Sequence, residues 1–152
     1  MRVIDYVIEE VIRQGHDVEV LDGIERVGWM LNAWAYALRE AAEGRRPTMA
    51  DAREMGCLIE RRRNKIGWRR CGVRVGSRSC PNSNLVPDLL DALFARRDQM
   101  TPLEFYKEFE LVHPFVDGNG RTGKILLNWL NGTLGDPVFP PADLFGHPIR
   151  NP

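Results

Sequence analysis

No run of this sequence stays apolar for the roughly 20 residues that a membrane-spanning helix needs, and its start, MRVIDYVIEE, reaches an acid by the fifth position. Neither a membrane anchor nor a secretory leader is expected. Net charge is missing as well. The 21 basic and 21 acidic side chains cancel, so whole-molecule attraction to nucleic acid or anionic lipid is not predicted. Cysteine is scarce: Cys57, Cys71 and Cys80 are odd in number and contain no C-x-x-C pair. That disfavours a disulfide framework or a structural zinc site and fits a reducing, cytoplasmic setting. Internal repeats and low-complexity linkers are absent too, so 152 residues are expected to form one domain with its own core.

What is present is mostly helical periodicity. Val27, Met30, Leu31, Trp34 and Leu38 recur at three- and four-residue steps, predicting a helix that ends near Glu43 and Gly44. Thr48 can cap a second helix, with Asp51 in its first turn and Ala52, Met55 and Ile59 facing inward. Asn84 opens a third, containing Leu89, Leu90, Leu93 and Phe94, with Pro87 tolerated in its first turn. Thr101-Pro102-Leu103-Glu104 reads as a capping box with proline at the first helical position, followed by Phe105, Phe109 and Val112. A last helix is expected after residue 121 and is ended by Gly132 and Gly135. Between the second and third helices, Trp68 to Gly76 is glycine-rich with a Val-Arg-Val alternation that suits a short strand or hairpin. From Arg61 to Cys80 there are eight cations and no acid; a solvated face explains them, and docking of an acidic target or of nucleotide phosphates is the functional alternative. Trp29, Trp34 and Trp129 sit at helical spacing with other apolar groups and are expected in the core, whereas Trp68 is a candidate partner contact.

Chemistry concentrates in His113-Pro114-Phe115-Val116-Asp117-Gly118-Asn119-Gly120-Arg121-Thr122-Gly123-Lys124. Gly118 and Gly120 permit positive φ and close approach of a ligand to the backbone. Successive N–H groups at the start of a helix form an anion nest. Arg121 and Lys124, three residues apart, can reach the same side of that nest. Asp117 is a hard oxygen ligand beside a phosphate site, the usual way Mg²⁺ is held. His113 can accept a proton from an attacking hydroxyl near neutral pH. Two other motifs share these letters. Gly118-x-Gly120-x-x-Gly123 matches a dinucleotide fingerprint, but no strand precedes it and too little chain follows for a βαβ unit. Gly118 to Lys124 also matches a P-loop, except that Ile125 stands where a hydroxyl must bind Mg²⁺.

The pattern that accounts for all these positions resembles the signature of the Fic family, H-x-F-x-[D/E]-G-N-G-R-x-x-R, matched at His113, Phe115, Asp117, Gly118, Asn119, Gly120 and Arg121. The resemblance extends over roughly residues 27–135. It implies a mainly α, compact Fic-type helical bundle with a small β-hairpin flap, preceded by a helical extension at 1–26 and followed by a tail at 136–152 packed on the core. It also implies transfer of AMP from ATP to a Ser, Thr or Tyr hydroxyl of a target protein. In that reaction His113 is the general base, Asp117 binds Mg²⁺, Gly118, Asn119 and Gly120 line the hole for the α-phosphate, and Arg121 pairs with the β-phosphate. Lys124 occupies the place of the second arginine, which grips the γ-phosphate. It keeps the charge but not the planar fork. Relatives with altered motifs act as kinases or use other nucleotide-linked donors, and a fold that binds nucleotide or a partner without catalysis is a further alternative. The target is expected to dock at the flap near Trp68–Gly76. Many relatives carry an inhibitory helix of pattern [S/T]-x-x-x-E-[G/N]. Here the only Glu followed by Gly or Asn is Glu43, with Arg39 four residues before it, so the pattern fails. A separate, antitoxin-like inhibitory protein is then one expectation, and activity too weak to need restraint is the other.

Overall fold

A computed structural model describes residues 1–145; the last part of the expected tail, 146–152, lies outside the described residues. Six helices run in the order α1 (Val3–Arg13), α2 (Leu21–Ala42), α3 (Met49–Ile59), α4 (Val86–Ala95), α5 (Pro102–Val112) and α6 (Asn119–Asn131). Two two-residue strands, β1 (Arg74–Val75) and β2 (Arg78–Ser79), pair antiparallel with Arg74 opposite Ser79.

The helix starts follow from their caps. Thr48 accepts from the Asp51 N–H while the Asp51 carboxylate accepts from the Thr48 N–H, and Thr101 and Glu104 repeat the exchange at α5. The third helix differs from its expected start. A 3₁₀ turn, Ser83–Leu85, capped by the Asn82 side chain, comes first and runs into α4 at Val86. Leu38 and Leu89, apolar members of the expected helices, are more than a third exposed. The buried stripes pass instead through Trp34 and Ala37, and through Val86, Leu90 and Leu93. Trp34 and Trp129 are core residues whose indole N–H groups donate to the Leu134 and Arg45 carbonyls, at 2.9 and 2.8 Å. Trp29 is only half-buried, under the Arg26 and Arg62 guanidinium groups. The hairpin lies at the late edge of the expected tract, turning at Gly76 with φ +60°.

Helix α6 sits at the centre, against α5, α3 and α2. Every residue from Asn119 to Trp129 is buried, although four of them are Asn119, Arg121, Lys124 and Asn128. Burying such groups is costly unless each finds a partner, so the polar partners of α6 define the functional region. Asn128 shows the structural version. Its amide donates to the Lys124 and Val138 carbonyls, and its oxygen accepts from the Val138 N–H and the Thr133 hydroxyl. That fastens the chain after α6 to the bundle, where Phe139 stacks on Tyr6 of α1.

Candidate active site

The loop from His113 to Gly118 joins α5 to α6 and carries the motif. His113 ends α5 in the left-handed conformation, φ +52°, and among the described residues it is the only non-glycine residue with positive φ. That geometry costs a non-glycine residue about 1–2 kcal/mol, so neighbouring contacts must hold it. Arg69 donates to the His113 carbonyl at 2.7 Å, and the Arg69 N–H donates to the Pro114 carbonyl at 2.9 Å. Two residues on, Phe115 is fully buried against Gly56 of α3, where even a methyl group would overlap its ring. The Asn119 side chain then clamps the loop, its oxygen accepting from the Phe115 N–H at 2.8 Å and its amide donating to the Phe115 carbonyl at 3.0 Å.

Helix α6 begins at Asn119, not after residue 121 as the sequence suggested. Of the two glycines expected to take positive φ, only Gly118 does, at +77°; Gly120 is helical. A side chain at Gly118 would also strike Ile59. The Thr122 N–H and hydroxyl both donate to the Gly118 carbonyl, which starts the helical ladder. The N–H groups of Asn119, Gly120 and Arg121 therefore belong to the first turn and have no intrahelical acceptor. Because the Asn119 side chain is spent on the loop, Asn119 can offer an anion only its N–H.

Around this helix start, buried donors lack protein acceptors. Arg121 is fully buried, and its Nε and Nη1 make no hydrogen bond. Its Nη2 lies 3.5 Å from Asp117 Oδ1 and 3.6 Å from Glu60 Oε1. His113 is also fully buried, and neither ring nitrogen makes a hydrogen bond of normal geometry. Burial pushes its pKa down to about 4, against a smaller upward pull from the Glu110 carbonyl, so the ring is neutral at pH 7. A neutral imidazole, two unpaired guanidinium N–H groups and a helix N-terminus in one place suit a polyanionic substrate and a proton to be removed.

The carboxylates are arranged around these cations. Asp117 accepts from the Gly118 N–H on one oxygen and from Arg63 on the other, at 2.7 Å. Burial would raise its pKa, but Arg121, the Gly118 N–H and Arg63 outweigh burial and hold it below the usual carboxylate value. Glu60, at the end of α3, is 1% exposed and binds Arg26 at 3.0 Å. Burial drives its pKa up, with Arg121 pulling down and Asp117 pushing up. Lys124 does not join Arg121. It crosses to Glu10 of α1, Nζ to Oε2 at 2.9 Å, with both groups buried. Glu110 is buried next to this pair. Desolvation moves its carboxyl up to about 7, offset in part by Lys124.

The expected residues thus divide. His113, Asp117, Gly118, Gly120 and Arg121 meet at the start of α6; Asn119 acts chiefly as a brace; Lys124 is held by another carboxylate. Sequence reading missed Glu10, Glu60, Arg63 and Arg69. None of the four carried a readable signal, since each lies outside the contiguous motif. Arg69 was hidden among eight cations of which most are exposed.

Residues 46–131, more than half of the chain, match the model of the Fic/DOC family. A segment of 33 residues is 58% identical to a probable protein adenylyltransferase of Aquifex aeolicus (strain VF5), covering 20% of this chain and 10% of that protein. Among solved structures, Fic-1 of C. elegans (residues 134–508) superposes with a TM-score of 0.64 at 20% identity, over 86% of this chain and 43% of that one. A Fic family protein from Desulfovibrio desulfuricans G20 superposes with a TM-score of 0.60 at 23% identity, over 82% of this chain and 41% of that one. The chain therefore spans less than half the length of these relatives. The fold is the helical Fic bundle with its small hairpin.

Proposed function

This chain belongs to the Fic/DOC family, and from that premise we propose that it is a protein nucleotidyltransferase moving AMP from ATP to a Ser, Thr or Tyr hydroxyl of another protein. One observation carries the reading: the neutral His113 ring lies by a helix start that, with Arg121 Nε and Nη1, offers donors without protein acceptors. In the step proposed, the target hydroxyl gives its proton to His113 and its oxygen attacks the α-phosphorus. The bond between the α-phosphorus and the bridging oxygen to the β-phosphate breaks, and pyrophosphate leaves. The N–H groups of Asn119, Gly120 and Arg121 stabilise charge on the α-phosphate, and the Arg121 guanidinium takes the β-phosphate.

Asp117 suits Mg²⁺, because Mg²⁺ commonly takes one or two carboxylates and completes its shell with phosphates and water. Its Oδ2 is covered by Arg63, whose side chain is 53% exposed and would have to swing away to admit the ion. Bound there, Mg²⁺ would neutralise phosphate charge. The flap is the proposed docking site for the target. Arg78 of β2 donates to the Leu111 carbonyl near the end of α5, which brings the hairpin beside His113.

Lys124, tied to Glu10, favours a second reading in which the donor presents no terminal phosphate to that position. ATP labelled at the α- or the γ-phosphate, incubated with the protein, Mg²⁺ and a cell lysate, separates these ideas. Label from α alone supports AMP transfer. Label from γ alone would make the protein a kinase, and label from neither, with nucleotide still bound, points to another donor or to a binding module.

A further inference from the structure

Arg69 is buried to 2% exposure, yet no carboxylate lies within ion-pair distance of it among the described residues. Its guanidinium is satisfied by carbonyl oxygens alone. Nε donates to His113 at 2.7 Å, Nη2 to Val112 at 3.2 Å and to Pro81 at 2.6 Å, and Nη1 to Cys71 at 2.9 Å. These four acceptors fall into two groups. Val112 and His113 are the last carbonyls of α5, where the helix leaves its acceptors unpaired and its dipole is negative. Cys71 and Pro81 are the two feet of the flap, on either side of the segment 72–80 that carries β1 and β2. The flap closes on itself just inside those feet, where the Cys80 N–H donates to the Val73 carbonyl at 3.1 Å.

One planar fork therefore fastens both feet of the flap to the helix end that holds His113 in its left-handed pose. The geometry suits arginine specifically. Its five N–H donors point outward in a fixed plane, whereas a lysine ammonium presents three donors around one point and cannot span acceptors on two sides. Its backbone adds a fifth tie, from the Arg69 N–H to the Pro114 carbonyl. The remaining cations of the stretch from Arg61 to Arg78 are wholly or partly exposed, so Arg69 is set apart by burial as well as by its partners.

We propose that Arg69 is a positioning residue that couples the flap to His113, so that a target segment seated on the flap and the base that serves it are held in one register. This rests on the roles given above to His113 and the flap. Displacing the flap pulls on the carbonyls of Cys71 and Pro81, and through the guanidinium on those of Val112 and His113. The same residue therefore fixes where the hydroxyl arrives and where its proton goes.

The test is amide hydrogen exchange in the full chain, followed at two reporters: the Cys80 N–H in the flap and the His113 N–H, which donates to the Phe109 carbonyl at the end of α5. In Arg69→Lys and Arg69→Gln both should exchange faster together, by about tenfold or more, while α2 and α3 keep their protection. If transfer is measurable, kcat should fall in both variants with ATP affinity unchanged, and lysine should rescue little of it. A flap loosened with His113 undisturbed, or neither reporter moved in a folded variant, would overturn the proposal. Gly76→Pro provides the approach from the other side should the Arg69 variants not fold. It breaks the exposed hairpin turn, whose φ of +60° proline cannot adopt, and leaves Arg69 in place. Faster exchange at His113 in that variant supports the coupling; an unchanged rate there sinks it. Neither exchange readout needs catalysis, so linked exchange in a protein that transfers no nucleotide would reject the transferase reading and leave only the coupling of the flap to the end of α5 standing.

Discussion

At the scale of single residues, the protonation state of His113 decides whether it can serve as a base. An unperturbed imidazole is partly cationic near pH 6.5, but burial moves this one to about 4. The ring is thus ready to accept a proton at pH 7, though as a weaker base than a solvated histidine. The sign for stability follows from linkage. Between about 4 and 6.5 the unfolded chain binds a proton at this position and the folded chain does not, so stability falls as pH drops through that window. The loss from this group is about 3 kcal/mol at most. Denaturant titrations at pH 7 and pH 4.5 should show His113→Ala losing less stability on acidification than the parent. An NMR titration should find the His113 ring unprotonated down to about pH 5; protonation near 6.5 would show an open, solvated ring instead. In a transfer assay the same substitution should cost about 10²–10⁴-fold in rate with nucleotide binding retained. His113, Asp117 and Arg121 were legible in the sequence because the motif is contiguous. Arg69 and Glu60 were not, since a buried cation or carboxylate looks like a surface one until its partners are known. Those partners, the carbonyls of Cys71 and Val112 and the guanidinium of Arg26, lie far away in the chain or on the backbone.

At the scale of elements, local chemistry was read well where the signal is local. Thr48 and Thr101 cap α3 and α5 as expected, because a capping box involves only four successive residues. The start of α6 was read three residues late because Gly-Asn-Gly resembles a turn; the buried Asn119 clamp and Thr122 bonds carry the helix through Gly120. What no local pattern shows is that α3 and the motif loop share one contact. A Cβ on Gly56 would fall 2.0 Å from Phe115 Cζ and 2.4 Å from both neighbouring ring carbons. The ring has little room to retreat, since it is fully buried and packs against Trp68 at 5.1 Å between centroids. Trp68, a candidate partner contact from the sequence, thus acts in part as a wall of this pocket. Gly56→Ala should therefore destabilise by about 1–3 kcal/mol, the usual range for overpacking a tight core. It should also weaken nucleotide binding, because Phe115 is held by the same Asn119 side chain that begins α6. Thermal unfolding and calorimetric ATP titration check both effects. Lost stability with unchanged ATP affinity would mean that the loop repacks without disturbing the helix start.

Over the whole molecule, the unexpected connection is the one from α1, which lies outside the segment matching the family, into the centre of α6. Glu10 occupies Lys124, so a γ-phosphate must displace a buried carboxylate before it can meet that cation. This changes what Lys124→Arg should do. Considered alone, a guanidinium grips two γ-phosphate oxygens where an ammonium acts as a point charge, an advantage of about 1–2 kcal/mol or roughly 5- to 30-fold. Next to Glu10, however, the same fork pairs equally well with the carboxylate, and the gain should vanish. Glu10→Gln should instead raise affinity for ATP and leave AMP unaffected, since AMP has no phosphate to place at Lys124. Without nucleotide that variant should be less stable by about 3–5 kcal/mol, because it leaves a buried cation without its counter-charge, and saturating ATP should restore part of the loss. The double variant with Lys124→Arg should then bind ATP more tightly than Glu10→Gln alone. Calorimetry on the four chains of this cycle, with ATP and AMP in parallel, gives the coupling energy between positions 10 and 124. A gain for AMP equal to that for ATP would place the effect elsewhere than the terminal phosphate. No gain for either nucleotide would mean that Lys124 serves α1 docking alone and that the native donor ends before reaching it.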